Sequence, residues 1–243
     1  MTNGIGIRPN VLEARERWKS RLFDIRELHD QGATGRETCH HISDLLDSIL
    51  LKIYEEALAE ISPGLALRVS LVLLGGCGRR DVAPFSDVDL MVLYQGSLTD
   101  DIVEFSRRIS QDITDTGFQL GYSLRTPRDA CSMSLKDAYI FSSLTEARLL
   151  AGNEELFRYF AGRFKRITNR KTFNIIKAII AAREKERVEF GETVYLLRPN
   201  VKKSRGGLRD IHLVRWLGYV QFGETDIDRL LAKGALSTAD STQ

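Results

Sequence analysis

The stretch Leu73–Tyr94, LLGGCGRRDVAPFSDVDLMVLY, sets three glycines and two arginines ahead of an apolar run that carries two aspartates one valine apart. An extended strand alternates its side chains, so Asp87 and Asp89 face one side while Val88, Leu90 and Val92 face the other. The two acids then lie about 7 Å apart along the strand. Carboxylates this close repel, and one keeps its proton unless a cation lets both ionise. Magnesium, which takes oxygen ligands, suits such a pair. A D-x-D pattern alone is also compatible with a solvated strand face, and PFSD with an Asx or serine-initiated turn. Gly75 and Gly76 are read as ending the preceding strand, where the missing Cβ atoms would let backbone N–H groups approach phosphate oxygens. A tight loop is the alternative, and Gly78 and Arg79 extend the same turn.

Around this stretch the periodicity predicts a mixed chain. Apolar residues recur at three and four spacing over about 11–30 and 36–61, the second run carrying Ile42, Leu45, Leu46, Ile49 and Ile53, which predicts two amphipathic helices. Ser62–Gly64, SPG, stops the second helix, and LALRVSLVLL, residues 65–74, has strand length and composition. A strand at Asp87–Tyr94, a helix running to about Thr116 and a third strand in FQLGYSLRT follow. From Pro127 onward the pattern is helical, interrupted by the loop RPNVKKSRGG and closed by a polar tail, STADSTQ. No internal repeat or low-complexity segment stands out.

Composition excludes several classes. With 243 residues, 43% hydrophobic and 28% charged, the chain suits a globular protein of one large or two small domains. A net charge of +2 gives no general attraction to nucleic acid or membrane. Cys39, Cys77 and Cys131 form no CxxC pair, so neither a disulfide framework nor a zinc site is indicated and a reducing cytoplasm fits. The opening residues lack an apolar signal core, and no run reaches the ~18 apolar residues of a membrane span.

GGCGRRDVAPFSDVDL resembles the G-G-x-G-R…P-x-S-D-x-D-L signature of nucleotidyltransferases with the DNA polymerase β-like fold, and in particular the bacterial PII uridylyltransferase/uridylyl-removing family. RPNVKKSRGGLRDIHLVRWL, Arg198–Leu217, is similar to that family's P-N-x-K-x-x-x-G-G-L-R-D-I segment, and TEARLLAGNEELF is similar as well. The resemblance covers about residues 36–236. It implies an α+β fold with a small mixed sheet, flanked by an N-terminal helical segment (1–64), a nucleotidyltransferase core (65–150) and an apparently truncated helical region (151–243). It implies transfer of UMP from UTP to a tyrosine of the signalling protein PII, with release of pyrophosphate. Asp87 and Asp89 would hold magnesium, two ions during catalysis, and Gly75, Gly76, Ser86 and Arg79 would lie near phosphate. Arg79 also fits a surface or strand-capping role.

In the second motif Lys202, Lys203, Arg205 and Arg209 gather positive charge where Gly206 and Gly207 precede a helix whose first amides can receive an anion. By itself this is a solvated basic loop; the resemblance makes Lys202, Gly206 and Gly207 nucleotide or PII contacts. Such enzymes usually add a third carboxylate from a later strand, but GYSLRT has none. Asp210 is the substitute, though the first turn of a helix favours a carboxylate anyway. The chain also departs from the family at Cys77, where an aromatic is frequent, at Arg80, where glycine is frequent, and at Arg198 and Arg205. The metal-dependent HD hydrolase and ACT domains of the full-length enzymes do not fit within this length. His29–Asp30 is a chance HD dipeptide, and His40, His41 and His212 form no ligand cluster. Phe157, Tyr159, Phe160 and Phe164 among basic residues are expected to pack inward rather than bind nucleic acid. The competing functional class is a degenerate module that binds Mg-nucleotide without turnover; a related transferase with another acceptor is the second alternative.

Overall fold

The computed structural model describes residues 7–190, 197–198 and 200–237. In chain order the elements are α1 (Pro9–Asp30), α2 (Gly35–Ile61), a 3-10 turn (Pro63–Leu67), β1 (Val69–Leu73), α3 (Gly75–Arg79), β2 (Val88–Tyr94), α4 (Asp100–Thr116), β3 (Leu120–Arg125), α5 (Pro127–Ser134), α6 (Ala138–Thr145), β4 (Arg148–Gly152), α7 (Glu154–Phe190), α8 (Leu208–Phe222) and α9 (Ile227–Ala232). The fold is α+β with a small mixed sheet, as expected. Two compact units divide it. The first runs to Asp129 and resumes over Glu146–Phe160; the second comprises Ala130–Thr145 and the chain from Ala161 onward. The N-terminal helices share a unit with the sheet.

The sheet of the first unit has the order β3-β2-β1-β4. β1 is antiparallel to β2 and to β4, and β2 is parallel to β3. Parallel neighbours need a crossover, and α4 supplies it. β4 lies in a stretch expected to be helical. RLLAG is too short to display a period, and its pairing with β1 decides its state. β1 in turn is shorter than the 65–74 run, because Pro63–Leu67 closes into a 3-10 turn first.

α2 begins where Thr34 and Glu37 form a reciprocal capping box and ends before Pro63, which cannot continue it. Its predicted stripe, Ile42, Leu45, Leu46, Ile49 and Ile53, is buried, sharing one core with Leu71, Leu73, Leu90, Val92, Phe105 and Ile109. A charged cluster lies within this unit. Arg108 donates to Asp112 at 2.5 Å and to Glu60, while Arg8 donates to the other Asp112 oxygen at 2.5 Å. Arg108 and Asp112 side chains are 4% and 1% exposed, so each depends on the other to offset desolvation.

In the second unit Phe164 lies 5.1 Å from Phe141 and 5.7 Å from Tyr219 between ring centroids. Phe160 and Phe164 are buried, as helical spacing predicts, while Tyr159 is exposed. α7 joins two predicted helices across a kink at Lys171. Except for Ser237, the polar tail lies outside the described residues, among which no helix is long and apolar enough to cross a membrane.

Removing Asp112 leaves the buried Arg108 with only the exposed Glu60 as a carboxylate partner and takes the partner of Arg8 away. Asp112→Ala is expected to lower the unfolding free energy by about 3–5 kcal/mol, measured by urea titration; a loss below about 1 kcal/mol would show that water reaches Arg108.

Candidate active site

β1 ends at Leu73, and the Leu74 amide donates to the Asp89 carbonyl at 2.9 Å, locking β1 to β2 at the point where the chain turns. The turn is tighter than a loop. Gly75 has φ +52°, in the left-handed region, and Gly75–Arg79 forms the single-turn helix α3. Arg80 closes it at φ +64°, which explains why glycine suits this position, and pairs with Asp44. Gly78 admits no side chain, since a Cβ there would lie 1.9 Å from the Glu146 carbonyl oxygen. The following segment is a turn in which the Ser86 amide donates to Ala83 O and the Ser86 hydroxyl accepts from the Ala83 amide, both at 3.0 Å. Ser86 therefore shapes the approach to Asp87, and Phe85 stands fully exposed on the turn.

Asp87 is exposed one residue before β2, and Asp89 lies within β2, half-buried. A Cβ on Gly75 would lie 3.0 Å from Asp89 Oδ2, and one on Gly121 of β3 would lie 2.5 Å from Asp89 Oδ1. The Asp89 carboxylate thus occupies a slot between two backbone positions that lack a side chain. Gly121 was not singled out from the sequence; an isolated glycine inside a strand pattern is the signal of such close approach. Burial pushes the Cys77 thiol up to about 11, and this thiol donates a 3.7 Å contact to the Asp87 carbonyl.

Arg79 is nearly buried. It donates to Asp81 at 2.6 and 3.1 Å and lies 3.8 Å from Glu146, so its charge is engaged within the protein. On β3 the residues in register with Asp89, Met91 and Leu93 are Gly121, Ser123 and Arg125, and none is an acid. Among the described residues no group of three or more His, Cys, Asp or Glu is placed to hold a metal. Two carboxylates still fit magnesium, which commonly takes one or two from protein and the rest from phosphate and water.

Lys202, Gly206, Gly207 and Asp210 belong to the second unit. Gly206 has φ +79°, and a Cβ on Gly207 would lie 2.7 Å from the Val201 carbonyl oxygen, so both glycines are needed to fold the loop. The amides of Leu208 and Arg209, expected to receive an anion, donate instead to Val201 O at 3.0 Å and Lys202 O at 2.8 Å. Asp210 accepts from Arg183, Arg187 and the Gly206 amide, each at 2.7 Å. Burial alone would raise its pKa, but these donors outweigh it and hold the carboxyl down at about 2. Arg183, with a side chain 2% exposed, also donates to Glu186 and to the carbonyls of Lys203 and Ser204. Asp210 is thus an internal partner of arginines. Lys202 is exposed.

Comparison with known families matches these two regions separately. Residues 24–126, which hold both aspartates, match the nucleotidyltransferase family DUF294, and residues 174–243 match the GlnD PII-uridylyltransferase family. The chain is a relative of the PII-uridylyltransferases. It is 31% identical over 209 residues to a bifunctional uridylyltransferase/uridylyl-removing enzyme of Burkholderia orbicola, a match covering 86% of this chain. Enzymes of the same name from Hydrogenovibrio crunogenus and Caulobacter vibrioides are 29% and 30% identical over 86% and 79% of the chain. The chain spans 21–23% of the length of these bifunctional enzymes.

Gly121→Ala is expected to displace the Asp89 carboxylate, the flexible member of that contact, and leave the fold intact. The Asp89 carboxyl 13C resonance should move while the thermal midpoint shifts by less than about 4 °C; an unmoved resonance would mean that the strand absorbs the methyl group. Asp210 has a folded pKa below its ordinary 3.8, so its contribution to stability is complete above about pH 4 and disappears as pH falls through about 2. Asp210→Asn should therefore cost about 1–3 kcal/mol at pH 7, with the difference from wild type shrinking between about pH 4 and 2 in urea titrations.

Proposed function

We propose that the chain is a magnesium-dependent nucleotidyltransferase that moves UMP from UTP to a tyrosine of PII in a cytoplasmic setting. In the transfer the tyrosine oxygen bonds to the α-phosphorus, the bond from that phosphorus to the bridging oxygen breaks, pyrophosphate departs, and the hydroxyl proton is released. The observation that carries this reading is the Asp89 carboxylate in its slot between Gly75 and Gly121, two residues from an exposed Asp87. That slot fixes the carboxylate beside the Gly75 turn, where a cation held by it would face a triphosphate.

Asp87 and Asp89 would hold the metal, two ions during turnover. Bound magnesium supplies charge neutralisation at the triphosphate and leaving pyrophosphate and acidifies the attacking hydroxyl. Gly75 and Gly76 let the turn lie against the Asp89 and Asp81 carboxylates, and the phosphates would meet this turn beside the metal. Ser86 acts through the turn that presents Asp87. Arg79, paired with Asp81 and Glu146, contributes by holding α3 in place. Lys202 is the exposed cation of the second motif and would meet nucleotide or PII. Kinship with the PII-uridylyltransferases supports UTP as donor and PII as acceptor.

A second reading has its own support. The residues in register on β3 bring no acid to Asp89, which favours a module that binds Mg-nucleotide without turnover.

Incubating the chain with PII, magnesium and α-labelled UTP, ATP, CTP or GTP separates the two. Label is expected on PII from UTP, lost by about a hundredfold or more in Asp87→Ala/Asp89→Ala, since removing charge stabilisation at a phosphoryl centre costs at least this much. Nucleotide binding without labelling supports the module, and transfer surviving in the double variant overturns the site.

A further inference from the structure

α3 has five residues, too few to persist by its own hydrogen bonds, because the first helical turn is entropically unfavourable. Its conformation therefore depends on what surrounds it, and the TEAR segment singled out in the sequence supplies the ties. Arg148, at the start of β4 and opposite Leu73 in the sheet, makes a two-pronged ion pair with Asp47 of α2, both contacts at 2.9 Å. The same guanidinium donates to the carbonyls of Cys77 at 3.0 Å and Gly78 at 3.3 Å. These belong to the last turn of α3, where carbonyl dipoles favour a cation. Two residues earlier the Glu146 carbonyl lies against Gly78, whose missing Cβ makes the contact possible, and the Glu146 side chain faces Arg79.

We infer that Arg148, oriented by Asp47, is a positioning residue for the nucleotide site: it anchors α3 so that Gly75, at the other end of the helix, keeps its place against the Asp89 carboxylate. Its effect on turnover rests on the nucleotidyltransferase reading; its effect on α3 does not. Lysine cannot replace it, because one ammonium cannot make a parallel pair with a carboxylate and reach two carbonyls besides. Asp47 holds the guanidinium in the plane that these carbonyls require.

The test uses the full chain with Arg148→Ala, Arg148→Lys and Asp47→Asn. Amide hydrogen exchange is followed over Leu74–Arg80 and, as a control, over β2 and α4. Exchange over Leu74–Arg80 should quicken by about tenfold or more in Arg148→Ala and Arg148→Lys and by less in Asp47→Asn, with the controls unchanged. In the labelling assay KM for UTP should rise about tenfold with kcat and KM for the protein acceptor within about threefold, as expected when binding alone is loosened. Millimolar guanidinium should partly restore the alanine variant. Unchanged exchange and KM in a folded Arg148→Ala protein would overturn the inference, as would acceleration spread equally over all segments. If the alanine variant does not fold, the lysine variant decides by the same measurements. If wild type transfers no label, the exchange comparison still judges the anchor, so the two proposals fail separately.

Discussion

The hydrogen bond from the Leu74 amide to the Asp89 carbonyl is the contact on which the first unit's site depends. It holds the register of β1 and β2 at the point where one strand turns into α3 and the other presents its acids. Side chains in a strand alternate, so a slip of one residue would turn Asp89 to the side where Val88 and Leu90 are now buried. Burying that carboxylate without a partner costs far more than any local rearrangement could return. Within β2, Met91 and Leu93 on the side of Asp89 are buried too, so the half-buried acid sits at the one end of the strand where that side opens.

Glycine chemistry then sets how closely the neighbouring chain can approach. Gly75 and Gly121 leave the Asp89 carboxylate its slot, and Gly78 lets α3 lie on the Glu146 carbonyl. A methyl group at any of the three would displace either a functional group or the backbone beside it. Tethered by Arg148 and by the pairs of Arg79, α3 is a short element whose geometry is imposed by its surroundings.

Each unit also contains a nearly dry arginine that ties distant segments together. Arg108 joins α4 to α2 through Glu60, while Arg183 joins α7 to the first turn of α8 through Asp210 and to the loop before it through Lys203 O and Ser204 O. A guanidinium suits this work because its planar fork satisfies several acceptors at once. In the second unit this explains why a motif rich in glycine and basic residues directs much of its chemistry inward. Gly206, Gly207 and Asp210 support the loop, and the Leu208 and Arg209 amides of the helix donate to its carbonyls.

From the amino-acid sequence alone one can place α1, α2, β2, α4 and β3, the buried stripe of α2, and the lack of an acid in GYSLRT. Those features follow from period and turn chemistry, which are local. β4, the helical state of Gly75–Arg79, the slot at Gly121 and the engagement of Arg79 and Asp210 were decided by tertiary structure. RLLAG pairs as a strand on the edge that β1 offers, and Arg148 reaches the five-residue helix from seventy residues away in the chain. Likewise, whether an arginine faces phosphate or a carboxylate depends on which acid the fold brings beside it. Local pattern carries the direction of a side chain; only packing determines what it meets.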